Sequence, residues 1–186
     1  SSGSITGGAG VLSANGYSIT NSTGTTTVSA NLAGAGGLTK TGAGTTILTG
    51  NNSWSGNTYV QAGILQIGNG GDAGTLGNGA SSADISAGAT LQFSRGTANL
   101  DINNNFSGLG TLKLLGNGSN TGVYWFRSGT NTMTSASGGI ILDGSYLRLY
   151  SQTNIGNANL SVINTGNLVF VKSATYSNNI SVGGIG

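Results

Sequence analysis

Cysteine, histidine, proline and glutamate are all missing from this chain of 186 residues. Without cysteine there is no disulfide framework to staple a small fold. Without cysteine, histidine and glutamate, the usual nucleophilic triads and zinc sets cannot be assembled, so no metal or other cofactor is expected. Charge is scarce too: six Lys/Arg stand against four Asp, and 5% of residues are charged, where ordinary domains carry about 25%. A net charge of +2 is too weak to point to nucleic acid or to a membrane surface. No stretch approaches the run of about 18 apolar residues that a membrane helix needs. Ser1-Ser2-Gly3-Ser4 has neither the basic start nor the apolar run of a leader peptide.

What the chain has instead is glycine, 36 residues of it, and short apolar pulses that make up a 36% hydrophobic fraction. Between Gly36 and Gly71 the pulses are Leu38, Ile47–Leu48, Tyr59–Val60 and Leu65–Ile67, each fenced by Gly or Gly-Asn. They are too short for helices, and Leu65 and Ile67 flanking Gln66 alternate as a strand does. Four strands in about thirty residues cannot bury their apolar faces alone; stacked copies of the same unit can. Glycine serves the corners, where positive φ is needed, and proline would break a ladder bond to the next rung.

The same stretch resembles the passenger-associated transport repeat, the β-strand repeat of bacterial autotransporter passenger domains. The matching residues are Gly37-Leu38-Thr39-Lys40-Thr41-Gly42, Gly44-Thr45, Leu48-Thr49-Gly50-Asn51-Asn52, Ser55-Gly56, Thr58, Val60, Ala62-Gly63 and Leu65-Gln66-Ile67-Gly68. Two departures stand out: Trp54 replaces the usual tyrosine, and Thr46–Ile47 invert the usual leucine–threonine order. The resemblance implies a secreted rod at the bacterial cell surface, associated with the outer membrane, whose folding outside the cell helps to draw the passenger across. It implies attachment to the membrane only through a C-terminal barrel or anchor beyond this chain. A chain without cysteine suits passage through an oxidising periplasm.

A longer echo runs through the whole. Asn31 to Leu38 recurs as Asn105 to Leu112, and Asn179-Ile180-Ser181 starts a third copy after the same interval again. The expected organisation is therefore one solenoid segment over residues 1–186, with copies at approximately 31–104 and 105–178 and a third from 179. The third copy stops in mid-phrase, so the polypeptide is expected to continue. Leu38, Leu65, Leu91 and Leu112, and then Leu147 and Leu168, follow one another within each series at the short, similar intervals of a coil repeat. Coils of that length predict an all-β, right-handed parallel β-helix of about seven or eight rungs, the six leucines lining one interior stack. Asn31, Asn105 and Asn179, with Asn103–Asn104 and Asn178, are expected at equivalent turns as an internal amide ladder.

Chemistry is thin. Asp72, Asp84, Asp101 and Asp143 fall on different turns and read as solvated corner residues, not as the carboxylate pair of a glycosidase; no enzyme is expected. The Thr-x-Thr pairs at 25–27, 39–41 and 130–134 do not recur at a stacking interval, so a flat ice-binding array is not the reading. One region differs. In Tyr146-Leu147-Arg148-Leu149-Tyr150 the leucines face inward, so Tyr146, Arg148 and Tyr150 face out. Tyr124-Trp125-Phe126-Arg127 lies about one turn earlier, with either Trp125 and Arg127 or Tyr124 and Phe126 outward. Trp125, Arg127, Tyr146, Arg148 and Tyr150 are the candidate ligand or lateral-contact patch. The reading is a structural and adhesive rod, extended into fibres, with adjoining β-helix segments, other copies, glycans or another cell's surface as partners. The alternative is a carbohydrate-binding or polysaccharide-degrading β-helix.

Overall fold

The computed structural model describes residues 3–5, 10–116, 122–127, 132–133, 138–150, 155–172 and 175–183. Among these, every regular element is a strand of two to five residues, and every strand pairing is parallel. The chain is a β-solenoid of about seven turns. Its longest sheet has nine strands: Gly3–Ile5, Thr25–Val28, Thr45–Leu48, Ile64–Ile67, Thr90–Ser94, Thr111–Leu115, Gly139–Asp143, Leu160–Ile163 and Ile180–Val182. Steps of about 4.8 Å between strands give a rod on the order of 40 Å long.

Two further sides complete each coil. A second sheet holds Tyr17–Thr20, Leu38–Thr41, Thr58–Val60, Ser82–Ile85 and Asn105–Gly108. The third side is broken. It starts as a two-stranded sheet, Val11–Ser13 with Asn31–Ala33, and continues without strands, Ser53 N–H donating to Leu32 and Asn78 N–H to Trp54. It becomes a sheet again at Leu100–Asp101, followed by Val123–Phe126, Tyr146–Leu149 and Asn167–Phe170.

Alternation along each strand builds the interior. In the long sheet one inward column runs Val28, Leu48, Ile67, Phe93, Leu114, Leu142, Val162. A second runs Thr46, Leu65, Leu91, Leu112, Ile140, Leu160. All of these are buried. The expected single stack of six leucines is corrected here. Leu65, Leu91 and Leu112 share a column of the long sheet; Leu38 lies on the second sheet opposite Tyr17 and Thr58, and Leu147 and Leu168 share a different column on the third side. Glycine corners on all three sides precede leucines, so their spacing mixes columns.

The long sequence echo is likewise an echo of strand, corner and strand, shifted by one side. Asn31–Ala33 lies on the third side with Leu38–Thr41 on the second sheet, whereas Asn105–Gly108 lies on the second sheet with Thr111–Leu115 on the long one. For the same reason Asn31, Asn105 and Asn179 form no ladder. Amides that bridge rungs include Asn52 and two of the other asparagines named with them, Asn104 and Asn178. Asn52 accepts from Leu32 N–H and donates to Thr75 C=O, Asn104 donates to Leu76 and Ser81, and Asn178 to Gly156 and Ala158. Residues 129–131, 134 and 184–186, which carry parts of the sequence echo and the last Thr-x-Thr run, lie outside the described residues.

The corner at residues 61–64 shows why glycine is required. Gly63 has φ 67°, and a Cβ there would sit 2.5 Å from the carbonyl oxygens of Gly42 and Gly44 in the coil before. Beneath it Lys40 points inward, fully buried, and its ammonium donates to the carbonyls of Thr41 (2.9 Å), Gly42 (2.7 Å) and Ala62 (3.1 Å).

A candidate binding face of tryptophan, tyrosine and arginine

The later part of the third side is where alternation matters most. Leu100, Tyr124, Leu147 and Leu168 share one column and Phe126, Leu149 and Phe170 another. Tyr124, Phe126, Leu147 and Leu149 are buried. The Tyr124 hydroxyl explains how a tyrosine is tolerated inside: it accepts from Arg95 N–H (3.1 Å) and faces the carbonyls of Phe93 (3.1 Å) and Leu115 (2.8 Å). Burial pushes its phenol well above the ordinary range, so it remains a donor. Phe106 stacks on Phe126 and meets Phe93 edge-on, which packs the same interior.

With Tyr124 and Phe126 inside, Trp125 and Arg127 must face out, which resolves the phase that sequence alternation left open. The outward column in register is Asp101, Trp125, Arg148, Val169. The guanidinium of Arg127 lies 3.8 Å from the Trp125 ring centroid and 5.5 Å from that of Tyr150, and the guanidinium of Arg148 lies 5.6 Å from Trp125. One indole thus orients two cations. Tyr146 sits on the same outer face, in register with Val123 and Asn167. All five residues singled out from sequence therefore share one lateral face. Arg127 and Arg148 are exposed, and the three aromatics are half-buried. The Trp125 indole N–H is buried and has no hydrogen-bond partner among the described residues.

Asp101 is the residue that sequence reasoning missed. Read there as a solvated corner acid, it lies in register with Trp125 and binds Arg127 Nε at 2.8 Å. The available signal was the pair Leu100-Asp101 standing one coil before Tyr124-Trp125 in the same inward–outward order. The other acids are also ties between rungs. Asp72 accepts from Thr97 and Ala98 N–H, and the Ala98 bond above all holds its carboxyl below the ordinary value. Asp84 accepts from Ser107 Oγ at 2.7 Å. Asp143 meets Lys113 Nζ at 2.7 Å and Asn164 Nδ2 at 2.8 Å. Burial works to raise its carboxyl, but the bonds from Lys113 and Asn164 and the Lys113 charge outweigh it and leave the pKa lowered. Among the described residues no three of His, Cys, Asp and Glu are grouped as metal ligands would be.

Two of the depressions among the described residues bear on binding. An open trough of about 380 Å³ runs over Gly16, Gly37, Asn57 and Tyr59 on the second sheet and carries no charge. A tighter crevice of about 180 Å³ lies where the third side changes from irregular chain to sheet, between residues 75–79 and 100–104, with Asp101 on its lining.

Residues 38–67 match the family model of the passenger-associated-transport-repeat. No curated protein and no solved structure matches the chain. The matched residues take in the strands Leu38–Thr41, Thr45–Leu48, Thr58–Val60 and Ile64–Ile67, together with buried Lys40 and the Gly63 corner. Residues 38–67 of this solenoid are thus similar to the passenger-associated transport repeat, and repeat and fold together fit a segment of an autotransporter passenger.

Proposed function

We propose that the chain is a rigid rod segment of a secreted, surface-located autotransporter-like passenger, and that it serves both as a structural spacer and as an adhesive surface. The observation that carries this reading is the nine-stranded parallel sheet with its continuous buried columns, running through the stretch that matches the transport repeat. Each coil buries its apolar face against the next, so folding can propagate coil by coil, and progressive folding outside the cell would pull on the chain still inside. Attachment to the outer membrane through a barrel or anchor, and growth into fibres by stacking of further coils, belong to the same proposal, because a parallel ladder is a template for more of itself. A polysaccharide-cleaving role has less support, since general acid–base cleavage uses two carboxylates flanking one bond and each Asp here has its own partner.

The test is to place the chain between a leader and an outer-membrane barrel in a bacterium and measure its exposure to external protease. The wild-type chain should reach the surface. Leu112→Asp, which puts a charge into the buried column, should leave most of it unexposed. Equal exposure of the two, or none of either, would refute the export role.

A further inference from the structure

The face around Trp125 holds more positive charge than it can use internally. Arg127 is neutralised by Asp101, but Arg148 is exposed and has no carboxylate partner among the described residues. A second copy of this chain could not supply one readily. The sequence has only four acids: Asp101 and Asp143 are paired with Arg127 and Lys113, and Asp72 and Asp84, held by Thr97, Ala98 and Ser107, lie off this face, Asp84 on the second sheet. Two such faces laid together would set guanidinium against guanidinium. The partner must bring its own anion.

The geometry narrows the kind of anion. Arg127 lies on the face of the Trp125 indole and Arg148 lies 5.6 Å from its centroid, and the planar N–H fork of exposed Arg148 suits a bidentate carboxylate. Half-buried Tyr146 and Tyr150 on the same face offer apolar ring surface with a hydroxyl. On the other side of Asp101 the crevice is lined by Leu76, Phe93, Leu100 and Ile102 with the amides of Asn103 and Asn104. At about 180 Å³ it has room for one small ring and not for a peptide segment. Two cations on a chain of net charge +2 are also too few for a phosphate backbone, whose binding draws on many neutralised charges.

Resting on the reading of this chain as a surface module, we propose that this face and its crevice bind a carboxylate-bearing glycan: the uronate carboxylate lies on Arg148, and another ring of the same glycan lies in the crevice. The sugar is held, not cleaved.

The full chain is titrated calorimetrically with a hyaluronan hexasaccharide, which alternates glucuronate with N-acetylglucosamine, with the neutral chitohexaose, and with a single-stranded thymidine oligonucleotide. Hyaluronan should bind and weaken as salt rises, and chitohexaose should not. Arg148→Gln should weaken binding by about tenfold or more, with Arg148→Lys intermediate, while thermal melting of both stays at the wild-type value. No binding to the folded wild-type chain, equal binding of chitohexaose, or an Arg148→Gln variant that binds as wild type would each overturn the proposal. So would tighter binding of the oligonucleotide, or Arg148-dependent self-association in sedimentation. Arg148→Gln is also run in the protease-exposure assay: normal display without hyaluronan binding rejects the glycan and leaves the rod intact.

Discussion

Thr46 and Ile47 stand in each other's expected places, and the fold shows what that does. Thr46 lies in the inward column above Leu65, Leu91 and Leu112, fully buried with its hydroxyl unpartnered, while Ile47 faces outward, half-exposed, in register with Gln66. A buried hydroxyl without a partner costs about 1–3 kcal/mol. Thr46→Val keeps the shape and removes that group, so it should stabilise the chain by about 1 kcal/mol, read as a higher denaturant midpoint at unchanged slope. An unchanged or lower midpoint would mean that the hydroxyl has an acceptor. The inversion itself was legible in the sequence, but its facing was not, because facing depends on which residue of the next coil lies opposite. The choice between Trp125 and Tyr124 is the same problem. Both phases alternate equally well, and the buried leucines at 147 and 149 in the adjacent strand decide it.

At the scale of elements, the parallel fold and the strands of residues 38–67 were readable from apolar pulses and glycine corners, but their assignment to sides was not. Leu38, Leu65 and Leu147 follow identical-looking corners and end on three different sheets. Coil length is the reason. The coil from Thr45 to its partner Ile64 is much shorter than the coil from Thr111 to its partner Gly139, so no fixed interval returns to the same side. The candidate face was legible in its residues and not in its anchor, Asp101, since one inward–outward pair in a two-residue strand is too short to fix its facing without the neighbouring strand. Neighbouring strands are also tied by charge, as Lys113 and Asp143 tie Thr111–Leu115 to Gly139–Asp143. Because the Asp143 carboxyl is lowered in the folded chain, the tie is at full strength above the ordinary carboxylate range and is lost as pH falls through the folded value. Asp143→Asn should therefore cost no more than about 1 kcal/mol at neutral pH and make the acid-side fall in stability shallower. Parallel stability–pH curves for the two proteins would count against the tie.

For the whole molecule, stability should be graded along the axis. Strands Ile64–Ile67, Thr90–Ser94 and Thr111–Leu115 have hydrogen-bonded neighbours on both sides and buried inward columns. Val11 and Leu12 near one rim, and Ile180 and Val182 near the other, are exposed. In a structure whose energy is a sum of nearest-neighbour terms, opening starts at the rims. Hydrogen exchange followed by mass spectrometry should find the slowest amides within residues 64–115 and the fastest in Val11–Ser13 and Ile180–Val182. Uniform protection would instead indicate a single cooperative unit.

Grading along an axis raises the matter of register, and here buried Lys40 has a consequence. Inside a solenoid one coil's apolar column resembles the next. A strand docked a whole coil out of step still sets leucine against leucine, and hydrophobic burial alone scarcely tells the two arrangements apart. The ammonium of Lys40 does tell them apart. Its acceptors are the carbonyls of Thr41 and Gly42 in its own coil and of Ala62 in the next, and burial already lowers its pKa. Docked beside a coil whose corner turned no carbonyl toward it, it would be a buried cation missing one of its three ligands, a penalty of several kcal/mol. The lysine works as a postal address written once in a text of near-identical lines: it is read only when the right line lies underneath.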